Sequence, residues 1–84
     1  MLDAGRYYES QAANLGADFL SKVESAVKDI ADNPDRWPVI RSHVRRRFVH
    51  RFPYAILYRA TRDEIVVLAV MNLHRHPNYW INRQ

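Results

Sequence analysis

The sequence predicts an α+β fold in which an N-terminal αα-hairpin packs on a three-stranded antiparallel β-meander, followed by a short C-terminal helix. Two observations lead to this prediction. The first part of the chain has an apolar stripe with helical spacing, and the second part has three β-rich segments separated by turn residues. Helices followed by a run of strands are typical of an α+β architecture with the helices on one sheet face. A chain of 84 residues is expected to form one domain, residues 1–84.

The first helix is predicted over residues 2–13. Ala4, Tyr8 and Ala12 recur every four residues and therefore share one helical face. The sequence Asn14-Leu15-Gly16 then favours a break, because asparagine and glycine both leave the helical conformation easily.

The second helix has the clearest pattern in the chain. Its apolar residues recur at helical spacing along one stripe: Phe19, Val23, Ala26, Val27 and Ile30. Asn33-Pro34 is predicted to end it, because a residue before proline is disfavoured in the α conformation. The two helices are therefore interpreted as a hairpin with one apolar side.

Residues 34–42 are interpreted as a linker that Trp37 and Val39 attach to the core. Three predicted strands follow: Val44–His50, Tyr54–Ala60 and Ile65–Met71. The third is apolar on both faces, which is typical of a central, covered strand. Pro77 suits the first turn of a short helix over residues 77–82.

The charges divide the chain into an acidic and a basic part. Residues 1–35 contain seven acids and three bases, for a net charge of −4. Residues 36–84 contain ten arginines, no lysine and two acids, for a net charge of +8. Because the arginine guanidinium binds phosphate and carboxylate groups in a planar, bidentate way, the expected partners are nucleic acid, a nucleoprotein or an acidic protein segment.

The first predicted strand suggests where such a partner binds. Arg45, Arg47 and Arg51 alternate with Val44, Phe48 and Phe52, so the three arginines are expected on one face, about 6.6–7 Å apart. Arg59 on the next strand is expected to extend this surface. The alternative is a solvated sheet face or a docking site for an acidic peptide.

One short segment has residues suited to acid–base chemistry. Histidine can transfer a proton near neutral pH, arginine can stabilise a pentacovalent phosphate, and tyrosine can donate a proton. His74, Arg75 and Tyr79 could therefore support RNA cleavage without a metal. In the alternative interpretation His74 and Arg75 cap the sheet edge, while Tyr79 and Trp80 pack on the core.

Other functional classes have little support. Both glycines lie in the helical half, so a glycine-rich phosphate loop is not expected, and no cofactor is predicted. His43 and His50 lie in a different element from His74 and His76, and no nearby carboxylate completes a ligand set, so a metal site is not predicted. The chain lacks cysteine, a signal-peptide pattern and an apolar run of about 18–20 residues. These features favour a cytoplasmic protein that does not cross a membrane.

The order of several motifs resembles the RelE/ParE superfamily of toxins from type II toxin–antitoxin systems, and the ParE-like, plasmid-stabilisation branch in particular. The resemblance covers nearly the whole chain. The residues that support it are Tyr7, Tyr8 and Glu9; Asn33, Pro34, Arg36, Trp37 and Pro38; Arg51, Phe52, Pro53, Tyr54 and Tyr58; Ala69 and Val70; and Arg75, Pro77, Tyr79 and Trp80.

This resemblance implies a growth-inhibiting toxin that a cognate acidic antitoxin neutralises by wrapping its helices and sheet. ParE-like members are associated with DNA gyrase, whereas RelE-like members cut mRNA in the ribosome. The Arg51–Tyr54 and Pro77–Trp80 patterns, and the absence of lysine from the strands, favour gyrase. The alternatives are a metal-independent endoribonuclease, or a truncated, inactive member that only binds antitoxin. The residues expected to contact target or antitoxin are Arg45, Arg47, Arg51, Arg59, Arg75 and Trp80; a nuclease would use His74, Arg75 and Tyr79.

The resemblance also predicts an incomplete sheet. The family usually begins with a β-strand, whereas Met1 corresponds to a position within the helix that follows that strand. A missing strand leaves a sheet edge that can pair with another chain. A homodimer or a toxin–antitoxin hetero-oligomer is therefore expected.

Overall fold

The computed structural model of the protein describes residues 2–74, and it describes the burial of side chains from Ala4 onward. Its elements are α1 (Leu2–Gln11), α2 (Leu15–Asp32), β1 (Val39–Arg41), β2 (Val44–Phe48), β3 (Tyr54–Ala60) and β4 (Ile65–Asn72). The strands form one antiparallel sheet in chain order. The α+β class and the helical hairpin are confirmed. The C-terminal helix predicted over residues 77–82 lies outside the described residues.

The break between the helices spans residues 12–14, two residues earlier than predicted, because α1 ends at Gln11 rather than at residue 13. Asn14 has a φ of 68° and ends the connection, so Leu15 and Gly16 already belong to α2. The Glu9 carboxylate accepts hydrogen bonds from the backbone N–H groups of Asn14 and Gly16, each at 3.0 Å. Because the first N–H groups of a helix have no partner within it, Glu9 satisfies donors at the start of α2.

Gly16 marks the closest approach of the two helices. A Cβ atom at this position would lie 2.3 Å from the carbonyl oxygen of Gly5 and 2.9 Å from the Cβ of Glu9. No real side chain fits at such distances, so glycine is required for the helices to pack as they do.

The core lies between α2 and the sheet. Four of the five residues in the predicted α2 stripe are buried, and Val27, at 39% exposure, is the exception. The stripe packs against β3 and the β2–β3 connection. The ring centroid of Phe52 lies 5.2 Å from that of Phe19 and 4.8 Å from that of Tyr8. Aromatic packing of this kind joins α1, α2 and the sheet.

The described residues form a sheet of four strands, so the prediction of three was wrong. Val39–Arg41, interpreted as part of a linker, pairs with β2 through a two-residue turn. Both turn residues have positive φ, 41° at Ser42 and 69° at His43, as in a type I′ hairpin. The usual Asn-Gly signal for this turn is absent. Trp37 packs against the core as expected, but Val39 is 51% exposed.

We expect that substitutions in this turn can increase the stability of the protein. Replacing Ser42-His43 with Asn-Gly should raise the free energy of unfolding by about 1 kcal/mol, because both new residues tolerate positive φ better. That gain corresponds to a rise in Tm of about 4–8 °C. Thermal unfolding followed by circular dichroism measures it. An unchanged or lower Tm would show that the turn is not strained.

Among the described strands, the one predicted to be central lies at the end of the sheet. β4 pairs with β3, and no other strand within residues 2–74 pairs with it. Val66 and Val67 are 36% and 44% exposed. Although β4 is apolar, the described residues therefore do not cover both of its faces.

Tyr58 connects the sheet to the end of α2. Its side chain is fully buried, and its hydroxyl donates a hydrogen bond of 2.7 Å to the carbonyl oxygen of Pro34. Burial raises the pKa of Tyr58 above its ordinary value of 10.0, with Arg45 acting in the opposite direction. Burial also raises the pKa of Tyr8.

We expect Tyr58→Phe to lower the free energy of unfolding by about 1–2 kcal/mol at pH 7, because the Pro34 carbonyl loses its partner. The wild-type phenol contributes stability that is complete below its unfolded pKa and is lost as pH rises through the higher folded value. The deficit of the variant should therefore shrink above about pH 10. Urea unfolding at several pH values measures this, with Tyr7→Phe as the exposed control. A constant deficit would contradict the prediction.

Candidate binding face

The arginines of β2 lie on both sides of the sheet. Arg45 and Arg47 point towards the helices, on the same side as the main core, and their side chains are only 25% and 21% exposed. Arg51 lies beyond β2, which ends at Phe48, and has a φ of 73° in the connection to β3. The three arginines predicted to form one row along a strand are thus divided between a strand and a loop.

Each of these three arginines contacts an acid from the N-terminal half. Arg47 lies 2.8 Å from Asp29, and Arg51 lies 2.8 Å from Asp18. Arg45 lies 3.7 Å from Asp35 and donates a 2.6 Å hydrogen bond to the carbonyl of Trp37. The acidic hairpin and the segment after it therefore neutralise the helix-facing side of the sheet.

The ion pair between Arg47 and Asp29 is expected to contribute modestly to stability. The Arg47 guanidinium also lies 5.2 Å from the Trp37 ring, and the Asp29 side chain is 49% exposed. Solvent screening at Asp29 limits the coupling free energy to about 0.5–1 kcal/mol. A double-mutant cycle with Arg47→Met and Asp29→Asn measures it by urea unfolding. Coupling that is zero, or unchanged in 1 M salt, would contradict this assignment.

The side of the sheet opposite the helices, called the far face below, has a different composition. A second buried cluster lies there, formed by Val44, Ala55, Leu57 and Met71. Cross-strand pairing places Arg46 beside Leu57 and Phe48 beside Ala55. Arg59 follows Leu57 by two residues on β3 and is exposed, and Arg41 lies opposite Val44.

The far-face arginines have no acidic partner in the described part of the chain. Within residues 2–74, Arg41, Arg46 and Arg59 form no ion pair. The Arg46 guanidinium lies 4.5 Å from the centroid of the Phe48 ring, a cation–π contact on a ring that is 49% exposed. The Nε of Arg46 is buried and has no hydrogen-bond partner. Uncompensated positive charge beside apolar surface makes this face suitable for an acidic, partly apolar partner.

Sequence reasoning identified one of these arginines and missed two. Arg59 was among the predicted binding residues, whereas Arg46 and Arg41 were not. Arg46 could have been identified from the sequence, because it occupies a position in β2 at which the alternation predicts an apolar residue. Two further predicted contacts, Arg75 and Trp80, lie outside the described residues.

Of the residues considered for catalysis, the structure describes only His74, which does not lie on the far face. His74 lies after β4 and lines an open cavity of about 560 Å³ together with Tyr7, Tyr8 and Tyr54. Tyr7 and Tyr8 belong to α1, so this cavity is on the helix side of the sheet. Arg75 and Tyr79 lie outside the described residues. Within residues 2–74, His74 is therefore separated by the sheet from the unpaired arginines.

Two other kinds of feature are absent from the described part of the chain. Residues 2–74 contain no group of three or more His, Asp or Glu side chains placed to hold a metal ion. None of the helices described here is both long and apolar enough to cross a membrane.

A helical hairpin lies on one side of the antiparallel sheet, and arginines without an ion pair in the described part of the chain lie on the other, as in a small basic α+β domain. Residues 1–77 match the family model described as ParE toxin of type II toxin-antitoxin system, parDE. The chain therefore belongs to the ParE toxin family, as the motif order indicated, and this membership implies a cognate antitoxin. Comparison with curated proteins and with solved structures gives no match.

Proposed function

We propose that this ParE-family toxin arrests growth by binding DNA gyrase through its far face, rather than by cleaving RNA. The observation that supports this is a set of three arginines, Arg41, Arg46 and Arg59, which form no ion pair among the described residues and lie on the same face as the exposed Phe48 ring. Arginine and aromatic residues are enriched among those that dominate binding energy at protein interfaces. The choice of gyrase rests on the family, and the choice of surface rests on the charges.

Binding is favoured over catalysis because a general acid or base must reach the reacting phosphate together with the group that stabilises it. His74 and the far-face arginines lie on opposite sides of the sheet. A substrate held by Arg46 and Arg59 would therefore be out of reach of His74. An inhibitor that acts by occupying a surface needs no such convergence.

The antitoxin is proposed to use a second set of contacts. Arg51 is the most exposed of the ion-paired arginines, at 58%, and its partner is Asp18. A carboxylate from an acidic antitoxin can replace Asp18 there at little cost, because both states contain one exposed ion pair. Arg45 and Arg47 are less accessible and are proposed to maintain the shape of this side. Arg75 and Trp80 remain contacts predicted from the sequence.

Induced expression in a bacterium, combined with two assays, tests the proposal. We expect growth arrest, inhibition of gyrase supercoiling by the purified chain, and intact mRNA. Cleaved mRNA that becomes intact after His74→Ala and Arg75→Ala would instead establish the endoribonuclease. Absence of arrest with retained antitoxin binding would identify an inactive member that only binds antitoxin.

A further inference from the structure

Three arginines of the far face surround one residue of the sheet. Strand pairing places Arg41 of β1 opposite Val44 of β2, and the register of β2 with β3, continued by one residue, places Arg59 on the other side of Val44. Arg46 follows Val44 by two residues on β2 and therefore lies on the same face. Arg41, Arg46 and Arg59 are called the arginine triangle below.

The spacing of the arginine triangle follows from the geometry of the sheet. Neighbouring strands lie about 4.7–4.9 Å apart, so the Cα atoms of Arg41 and Arg59, two strands apart, are separated by about 10 Å. Diagonal neighbours on one face are about 7–8 Å apart, which is the separation of Arg46 from each of the other two. Arginine has a long aliphatic stem, so the three guanidinium groups can contact one continuous anionic ligand together.

Among the described residues, no acidic side chain neutralises the arginine triangle. All nine acids of the protein lie between Asp3 and Glu64, within the described part of the chain, and residues 75–84 contain none. Asp63 and Glu64, in the turn after β3, are the acids closest to Arg59 in the sequence. Neither they nor any other described acid forms an ion pair with the triangle. The three guanidinium groups are therefore available to an external anion.

Packing orients the central member of the triangle before any ligand binds. The Arg46 guanidinium lies 4.5 Å from the centroid of the Phe48 ring, and its Nε is buried. In the described part of the chain, the terminal nitrogens of Arg46 donate no hydrogen bond. A guanidinium that is already ordered loses less conformational entropy on binding, and its terminal nitrogens match the oxygens of a phosphate group.

We propose that the arginine triangle binds the phosphate backbone of double-stranded DNA, so that the toxin contacts gyrase and the DNA that gyrase holds at the same time. Each guanidinium can donate two parallel hydrogen bonds to phosphate oxygens, and each DNA strand presents a phosphate about every 3.4 Å along the helix axis. The exposed Phe48 ring beside the triangle remains free to contact the gyrase protein. The choice of DNA rests on the proposed action on gyrase, whereas the choice of phosphate rests on the triangle.

DNA binding by the purified chain, without gyrase, tests the proposal. Fluorescence anisotropy with a labelled duplex of about 20 base pairs should give a Kd of about 1–100 μM near physiological salt, as is usual for non-specific binding. Each phosphate contact adds about −0.9 to the slope of log K against log salt, so three contacts add about −2.7. Raising the salt from about 50 to 200 mM should therefore weaken binding at least about 40-fold.

The variant Arg41→Gln/Arg46→Gln/Arg59→Gln removes the three contacts. Its salt slope should be less negative than that of the wild type by about 2–3, and its affinity at about 100 mM salt should be at least about 10-fold lower. A circular dichroism spectrum that matches the wild type verifies that the variant is folded.

The matched control removes the same charge elsewhere. Arg6→Gln/Lys28→Gln/Arg36→Gln changes three exposed residues, two on the helices and one in the segment before β1. Its salt slope and affinity should stay close to those of the wild type. Equal losses in the two triple variants would overturn the proposal, because binding would then depend on the net charge of the chain and not on the triangle.

The remaining outcomes separate this inference from the proposed function. A wild-type chain that does not bind DNA at about 200 μM, or that binds a single-stranded RNA of the same sequence more tightly, would overturn the inference. Binding to DNA-free gyrase that requires the triangle, without any binding to DNA, would also overturn it but leave gyrase as the target. DNA binding that requires the triangle, without inhibition of supercoiling, would support the inference and contradict the proposed function.

Discussion

Replacing Gly16 with alanine is expected to lower the free energy of unfolding by about 3 kcal/mol, at the upper end of the usual cost of overpacking. The added Cβ would lie 2.3 Å from the backbone oxygen of Gly5. A backbone atom cannot rotate away as a flexible side chain can, so α1 must shift relative to α2. That shift also stretches the hydrogen bonds from the Glu9 carboxylate to the start of α2. Thermal unfolding should show Tm lower by about 12–24 °C.

The same substitution at Gly5 is the matched control. A Cβ on Gly5 would meet only side-chain atoms of Leu20, at 3.6–3.7 Å, which is ordinary van der Waals contact. Gly5→Ala should therefore raise the stability by about 0.5–1 kcal/mol through helix propensity. Similar effects at the two positions would mean that the helices do not cross at Gly16.

Reversing the charge of Arg46 and Arg59 together is expected to abolish growth arrest. Loss of two arginines at the centre of an interface commonly costs more than about 2–3 kcal/mol, which lowers affinity at least about 30–100-fold. Neither arginine has an ion-pair partner within residues 2–74. The Arg46→Glu/Arg59→Glu variant should therefore keep its fold, and growth after induced expression measures its activity.

A second double variant tests whether growth arrest depends on the positions of the reversed charges or only on the net charge of the chain. Arg6→Glu with Lys28→Glu changes the charge by the same amount at two exposed positions on α1 and α2. This control should arrest growth as the wild type does. If both variants lose activity equally, the toxin depends on its overall charge and not on the far face.

The helical half could be predicted from the sequence because its apolar residues recur at regular helical spacing. The α2 stripe recurs over several turns and ends at Asn33-Pro34, so one misplaced residue, Val27, did not obscure it. β1 gave no comparable signal, because a three-residue strand is too short to show alternation. Its turn, Ser42-His43, adopts positive φ with residues that rarely favour it.

The assignment of sheet faces required contacts that sequence alone does not reveal. Residues 45–47 are three consecutive arginines, so alternation along β2 does not determine which arginine faces the helices. The face is determined by distant partners, Asp29 for Arg47 and Asp35 for Arg45. The charge asymmetry between the two halves of the chain was visible. The fold, however, determines that the acids neutralise one side of the sheet and leave the other side cationic.

A titration of gyrase supercoiling with three purified proteins tests the central claim, that the far face of the sheet is the target-binding surface. The wild type and the Arg6→Glu/Lys28→Glu control should inhibit at the same concentration. The Arg46→Glu/Arg59→Glu variant should require at least about 30 times more protein, with a circular dichroism spectrum that shows the wild-type fold. Equal inhibition by all three proteins would contradict the claim, because the unpaired arginines would then not contact gyrase.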